Sequence, residues 1–169
     1  MYSKLSLLKQ AYSLLDEVTP LKYDCGLICG GKCCHSDSTG AVENPGMLLL
    51  PEEEKLTSDA SFIIEESDDG KVLICNGKCD RALRPFSCRI FPFYASIGKD
   101  GSVSLKKDPR AFNTCPVAIK EKGTRHSVYF HRNAVRAIRI LMKDEDFKRE
   151  LKKTSDFCDG LYSFYRKML

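Results

Sequence analysis

The sequence lacks the features that mark membrane and secreted proteins. Runs of consecutive apolar residues are short, as at Met47–Leu50, so no segment reaches the length of a membrane span. Lys4 and Lys9 interrupt the first ten residues before an apolar run of signal-peptide length develops. We therefore expect a cytoplasmic protein, in a compartment where thiols stay reduced and structural disulfides are rare.

Several signatures of catalysis and nucleotide binding are also missing. The chain contains no glycine-rich phosphate loop, no serine nucleophile elbow and no His-Glu-x-x-His element. The net charge of +4 is too small to indicate nucleic-acid binding by itself. With 169 residues, 43% of them hydrophobic and 30% charged, the sequence is typical of one globular domain spanning residues 1–169.

Cysteine is the residue type that stands out. The chain has nine cysteines, and eight of them follow the pattern Cys25-x3-Cys29-x3-Cys33-Cys34, Cys75-x3-Cys79, Cys88 and Cys115. In a reducing compartment, cysteines at this density are metal ligands or redox groups before they are crosslinks. We predict that the metal ligands are Cys25, Cys29, Cys33, Cys34, Cys75, Cys79, Cys88 and Cys115.

The segment from residue 21 to 45 supports this interpretation, because it is glycine-rich and has no hydrophobic periodicity. Such a segment cannot order itself by burial, whereas a bound metal would hold it. Zinc and an iron–sulfur cluster both suit four-thiolate sites, and both stay open. The choice between two metal sites and one cluster also stays open. Dithiol redox chemistry is disfavoured, because its cysteine pairs are usually separated by two residues and the pairs here are separated by three. Cations near the ligands are predicted to offset thiolate charge: Lys32, Lys78, Arg81, Arg84 and Arg89.

Three segments together carry a family resemblance. The run from Cys25 to Cys34, the segment Cys75-Asn-Gly-Lys-Cys79 and above all Arg84-Pro-Phe-Ser-Cys-Arg-Ile-Phe-Pro92 resemble the YkgJ-type zinc- or iron-chelating cysteine cluster family. The resemblance covers residues 22 to about 117 and implies a chelated metal at these cysteines. The first cluster departs from the family pattern, with three residues between its cysteines where two are common.

The remaining pattern predicts an α+β fold. An N-terminal helix over residues 2–18 precedes a loop-rich, metal-stabilised core at 22–117, and residues 118–169 form a C-terminal helical part. Short strands are expected at Met47–Leu50, Phe62–Ile64, Val72–Cys75 and on either side of Gly98–Gly101, with a helical turn near Glu52. Helices are expected over about 124–142, 145–153 and 156–168.

Other side chains receive structural or secondary interpretations. Cys88 is predicted on a stiff turn between Pro85 and Pro92, and Cys158 is predicted to pack among Phe157, Leu161 and Phe164. Glu52–Glu54 resemble acidic residues at a helix N-terminus. His35 is expected to be an exposed loop residue, with a ninth metal ligand or a hydrogen-bond donor to the ligands as the alternative. His126 and His131 are expected to have surface or partly packed roles. A basic stripe on the first C-terminal helix is a candidate surface for a protein or anionic partner: Arg125, Arg132, Arg136, Arg139 and Lys143.

Three functional hypotheses follow. The first is a metal-chelating cysteine cluster protein that holds zinc or an iron–sulfur centre by thiolates. The second is an iron–sulfur enzyme component that assists methyl transfer or redox chemistry, suggested by relatives of the resembling family among flagellin lysine N-methylases. The third is a zinc-stabilised module that binds an anionic partner through the basic stripe.

Overall fold

A computed structural model describes residues 2–21, 30, 33, 46–57, 62–75, 80–112, 115–119 and 127–168 of the protein. Helices lie near both ends of the chain, and antiparallel strands lie between them. The α+β class expected from the sequence is therefore confirmed, with its N-terminal helix and its C-terminal helices.

The described residues form five helices and five strands. The helices are α1 (Lys4–Ser13), α2 (Phe86–Ile90), α3 (Pro116–Ile119), α4 (Val128–Leu141) and α5 (Glu145–Met168). The strands are β1 (Met47–Leu48), β2 (Phe62–Ser67), β3 (Gly70–Cys75), β4 (Phe93–Ile97) and β5 (Val103–Lys107). Three short 3-10 turns complete the set, at Glu53–Lys55, Arg81–Leu83 and Pro109–Ala111.

The strands form two separate antiparallel sheets. The first has the order β1-β3-β2, with Met47 opposite Leu73 on one side of β3 and Phe62 opposite Cys75 on the other. The second is the β4-β5 hairpin, whose turn contains Gly101 at a φ of 79°, a conformation that glycine adopts without steric cost. The strands predicted around Ser67–Gly70 and Gly98–Gly101 are thus confirmed.

Local capping explains where the helices begin. The Ser3 hydroxyl accepts from the Ser6 amide at the start of α1, and Ser127 accepts from the Phe130 amide at the start of α4. The Asp144 carboxylate accepts from two amides at the start of α5. From there α5 continues unbroken to Met168, so the prediction of two helices over 145–168 is wrong. Thr154 and Ser155 do not interrupt it, because their hydroxyls bond within the structure instead of competing with the helix.

The main hydrophobic core joins both ends of the chain. Leu7 and Leu8 of α1 pack in one cluster with Phe93 of β4, Ile138 of α4 and Phe147 of α5. Phe86 and Ile90 of α2 belong to the same cluster, so the cysteine-bearing helix α2 is held against the core. Among the described residues, no helix combines the length and the apolar character that crossing a membrane requires.

Candidate metal centre

Four of the eight predicted ligands lie among the described residues. Cys75 is the last residue of β3, Cys88 lies in α2, and Cys115 immediately precedes α3. Cys33 is exposed, Cys75 and Cys88 are half-buried, and Cys115 is buried. The other four lie outside the described residues: Cys25, Cys29, Cys34 and Cys79. Within the part of the chain that is described, no three His, Cys, Asp or Glu side chains are grouped as a metal site.

The chain that enters the first cysteine segment is packed beside Cys115. Leu21, four residues before Cys25, is 4% exposed and forms a small apolar cluster with Cys115, Ala111 and Ala118. This cluster is separate from the main core and is flanked by two partly buried rings, Phe91 and Phe112. Burial of Leu21 therefore fixes the entrance of the first cysteine segment next to another predicted ligand.

The chain that leaves the first cysteine segment lies along β3. Gly46 precedes β1 and approaches β3 so closely that a Cβ atom would overlap Cγ1 of Val72 and lie 3.2 Å from the Leu73 carbonyl oxygen. β1 runs antiparallel to β3, so going backward from Met47 to Gly46 leads toward the end of β3 that carries Cys75. Glycine is favoured at residue 46 because a side chain there would overlap the Val72 side chain and crowd the backbone of β3. The exit of the segment is thus also beside a predicted ligand.

Arg81 fastens the segment after Cys79 to the chain before Cys25. Its Nε donates to the Asp16 carbonyl oxygen over 3.2 Å, and its Nη2 donates to the Val18 carbonyl oxygen. These carbonyls lie just beyond α1, in the stretch that leads to Leu21. The predicted role of Arg81 as a counter-charge for thiolates is untested, but these bonds show a positioning role that sequence reasoning missed.

Arg89, the residue after Cys88, forms the strongest of these connections. Its Nη1 donates to Oδ1 of Asp16 over 2.6 Å, and its side chain is only 1% exposed. Its Nε and Nη2 donate to the carbonyl oxygens of Arg84 and Ala82, over 2.7 and 2.6 Å. The guanidinium also lies 3.9 Å from the centre of the Tyr12 ring, a cation–π contact. Arg89 therefore holds α2, the Arg81–Leu83 turn and the chain beyond α1 in one arrangement.

Glu53 fixes the start of α2 from the opposite side. Its side chain is fully buried, and its Oε1 accepts from the Phe86 amide and the Tyr12 hydroxyl, both over 2.6 Å. Its Oε2 accepts from the Leu50 amide over 2.8 Å. Burial raises the pKa of the Glu53 carboxyl above its usual value, although the three hydrogen bonds oppose that rise. Glu53 lies in the first turn of the Glu53–Lys55 3-10 helix, as expected, and it is in addition a buried acceptor shared by three segments.

The structure corrects the expected setting of two cysteines. Cys88 lies in the helix α2, not in a turn, because Pro85 precedes the first helical residue and leaves the helix intact. Cys158 is fully buried, but Phe157 and Phe164 are 57% and 58% exposed. Its burial confirms that Cys158 packs as a small apolar residue, but the expected neighbours are corrected, because these two rings lie on the outer face of α5. Burial raises the pKa of the Cys158 thiol to about 12.

Some of the histidines and remaining cations singled out in the sequence lie among the described residues, and others do not. His131 is half-buried, and its ring lies 4.8 Å from the Phe93 ring and 5.9 Å from the Phe130 ring, which confirms a partly packed role. The interpretations of His35, His126, Lys32, Lys78 and Arg125 concern positions outside the described residues. Arg132, Arg136, Arg139 and Lys143 are exposed on α4 and the turn after it.

Comparisons with protein-family models, with curated proteins and with solved structures found no match for this chain.

Proposed function

We propose that this chain is a metal-chelating protein that binds zinc or an iron–sulfur centre through cysteine thiolates. The proposed ligands are drawn from Cys25, Cys29, Cys33, Cys34, Cys75, Cys79, Cys88 and Cys115. The proposal includes membership of the YkgJ-type cysteine cluster family and a cytoplasmic location, where these thiols stay reduced.

The observation that carries the proposal is the convergence of the chain segments that flank the cysteines. Leu21 packs with Cys115, Gly46 lies against the strand that ends in Cys75, and Arg81 and Arg89 fasten the flanks of Cys79 and Cys88 to the chain before Cys25. Each of these contacts joins two segments that are far apart in sequence, and each lies on a segment that carries or flanks a predicted ligand. Hydrogen bonds and apolar packing supply these contacts.

The donor chemistry fits a soft or borderline metal. Sulfur ligands select zinc, copper(I) or iron–sulfur centres over magnesium and calcium, which take oxygen ligands. When bound, zinc would crosslink the converging segments, whereas an iron–sulfur cluster would also permit electron transfer. This chain's own contribution near Cys115 is to exclude bulk water, because Leu21 packs in the same apolar cluster and Phe91 and Phe112 pack against that cluster.

The direct test is elemental analysis of the protein purified anaerobically without added chelator. We expect zinc or iron at a fixed ratio to protein, and we expect Cys88→Ser and Cys115→Ser to lose it, with lower thermal stability because metal binding contributes folding free energy. Cys158→Ala is the matched control and should retain the metal, since Cys158 lies outside the proposed set. A folded, reduced protein with no metal and no tight affinity for zinc or iron would overturn the proposal.

The colour and metal content of the same purified protein distinguish the enzyme alternative from the first proposal. A brown protein with the broad visible absorbance of iron–sulfur clusters, bleached by a one-electron reductant, would favour a component of methyl-transfer or redox chemistry. A colourless protein with stoichiometric zinc would exclude the redox alternative, because zinc has no accessible second oxidation state.

A further inference from the structure

The outward side of α4 and the turn that follows it presents a row of cations. Arg132, Arg136 and Arg139 are exposed, and Lys143 continues the row in the turn after the helix. These residues are spaced by four, three and four positions, so they lie on one side of the helix. We call these four residues the basic face.

The inward side of α4 holds the basic face in place. Its buried residues are Phe130, Asn133, Ala134, Ala137, Ile138 and Leu141. Most of them belong to the main core, and the Asn133 side-chain amide donates to the Leu14 carbonyl oxygen over 3.0 Å. Rotation of the helix would expose this apolar surface, so the basic face is fixed toward solvent.

Among the described residues, no carboxylate forms an ion pair with an arginine of the basic face. No Asp or Glu occurs in α4. The neighbouring helix α5 provides the contrast, because every exposed cation in its first half is paired: Lys148, Arg149, Lys152 and Lys153. Like charges four residues apart destabilise a helix, so Arg132 and Arg136 oppose helix stability. The equally spaced pair Lys148 and Lys152 of α5 differs because each of its cations has a carboxylate partner.

The two ends of the basic face differ in character. One turn before Arg132, Tyr129 is 61% exposed and Val128 is 78% exposed. At the other end, Lys143 lies 5.6 Å from the centre of the exposed Tyr2 ring. The acidic residues that follow are engaged elsewhere, since Asp146 pairs with Lys4 and Arg149. The row therefore presents three arginines without an ion pair among the described residues, between two accessible aromatic rings.

We propose that the basic face binds single-stranded nucleic acid, with its phosphates along Arg132, Arg136, Arg139 and Lys143 and a base stacked on Tyr129. At a rise of about 1.5 Å per residue, the cations are separated by about 4.5–6 Å along the helix axis, a spacing suited to successive phosphates of an extended strand. Guanidinium groups bind phosphate oxygens in a bidentate manner.

The exposed tyrosine favours a single strand over other polyanions. Stacking on an aromatic ring requires a base whose face is accessible, which a duplex does not offer along its length. An acidic peptide would use the cations but would leave Tyr129 without such a partner. A membrane surface is disfavoured because the apolar side of α4 is buried in the protein core and is unavailable for insertion. The basic face contains none of the proposed metal ligands, so this proposal and the metal proposal stand or fall separately.

The test is fluorescence anisotropy with labelled oligonucleotides of about 12 nucleotides, as single-stranded RNA, single-stranded DNA and duplex, titrated with the full chain over a series of salt concentrations. With four phosphate contacts, the slope of log affinity against log salt should be about −3 for a single strand, and the double change Arg132→Ala/Arg136→Ala should reduce it to about −1.5. That change should weaken binding by about tenfold or more. The matched control is Lys148→Ala/Lys152→Ala, which removes the same charge from the paired face of α5 and should leave affinity nearly unchanged.

Tyr129 gives a second, independent readout. Tyr129→Ala should weaken single-strand binding by about tenfold without changing the salt slope, and Tyr129→Phe should preserve binding, since stacking needs the ring and not the hydroxyl. The proposal would be overturned by any of three results: no binding to a single strand at about 50 mM salt, tighter binding to the duplex than to the single strand, or equal competition by polyglutamate. An equal loss in the control variant would overturn it too. The RNA and DNA arms show which strand the protein prefers, and a preference for either supports the proposal.

Discussion

The phenolic hydroxyl of Tyr12 donates a 2.6 Å hydrogen bond to Oε1 of Glu53, an oxygen that also accepts from the Phe86 amide at the start of α2. A residue of the N-terminal helix is thereby connected through one buried carboxylate to the helix that carries Cys88. Since both partners are buried, the geometry around Cys88 depends on a polar contact between residues 41 positions apart.

We predict that Glu53→Gln lowers the free energy of unfolding by about 1–3 kcal/mol, the usual cost of leaving a buried hydrogen-bonding group unsatisfied. Glutamine has one acceptor oxygen where Glu53 uses two, so its amide NH2 must face a backbone or hydroxyl donor. Urea denaturation followed by circular dichroism measures the change. The neighbouring Glu54→Gln is the control and should cost less than about 1 kcal/mol, because Glu54 pairs with Lys71 at the surface. Equal losses in the two variants would contradict the role assigned to Glu53.

We predict that Arg89→Lys is destabilising by about 2–4 kcal/mol, despite the conserved charge. A lysine ammonium cannot reach Asp16, Ala82 and Arg84 at once, and it lacks the planar surface that lies over Tyr12. Urea denaturation should show the loss, while the exposed Arg132→Lys should stay within about 0.5 kcal/mol of the unmodified protein. A variant that unfolds at the same urea concentration as the unmodified protein would show that the Arg89 contacts contribute little.

We predict a pH-dependent contribution from Asp159 at the junction of α5 and the β4-β5 hairpin. Burial opposes ionisation of this carboxyl, but hydrogen bonds from Lys106 and Tyr94 outweigh it and lower its pKa below the usual value. Between the lowered pKa and the ordinary one, the unfolded chain binds more protons than the folded chain, so stability rises with pH in that window.

The measurement compares Asp159→Asn with the unmodified protein by urea denaturation at a series of pH values. The stability difference should be fully present above the ordinary aspartate pKa, and it should disappear as the pH falls through the lowered value. A difference that stays constant down to the lowest pH at which the protein remains folded would contradict the prediction.

We predict that Cys158 resists alkylation in the folded protein. Its thiol is fully buried and its pKa is raised to about 12, so both access and thiolate concentration are low at pH 8. Treatment with iodoacetamide followed by peptide mass spectrometry should find Cys158 unmodified in the native protein, whereas all nine cysteines should react in denaturant. Labelling of native Cys158 at the rate of an unfolded thiol would show that α5 opens readily.

The sequence predicts the elements that local signals define. Gly98-Lys-Asp-Gly101 between two alternating runs indicates the β4-β5 hairpin, and Ser67–Gly70 indicates the β2-β3 turn, because turn chemistry acts over a few residues. A local signal also predicts the buried side of α5 on which Cys158 lies. On a helical wheel Cys158 falls on the side of Phe147, Leu151 and Ser155, all buried, and away from Phe157.

Local sequence signals do not predict the long-range contacts of the site. Nothing around Glu53 in the sequence distinguishes it from Glu52 or Glu54, yet it is the one buried beside Tyr12 and Phe86. Arg89 resembles a cation placed for a neighbouring thiolate, whereas its bonds reach back to Asp16. Such contacts depend on how distant segments pack, which hydrophobic periodicity does not specify.

Anchoring Leu21 and Gly46 against the folded protein has a thermodynamic consequence for any ion that the cysteines capture. Folding places Leu21 in its apolar cluster and Gly46 against β3, so the entropic cost of bringing these two residues to their positions is met by folding and not by ion binding. Affinity for the ion is therefore linked to global folding, and a substitution that loosens either anchor would weaken capture without altering a single sulfur atom.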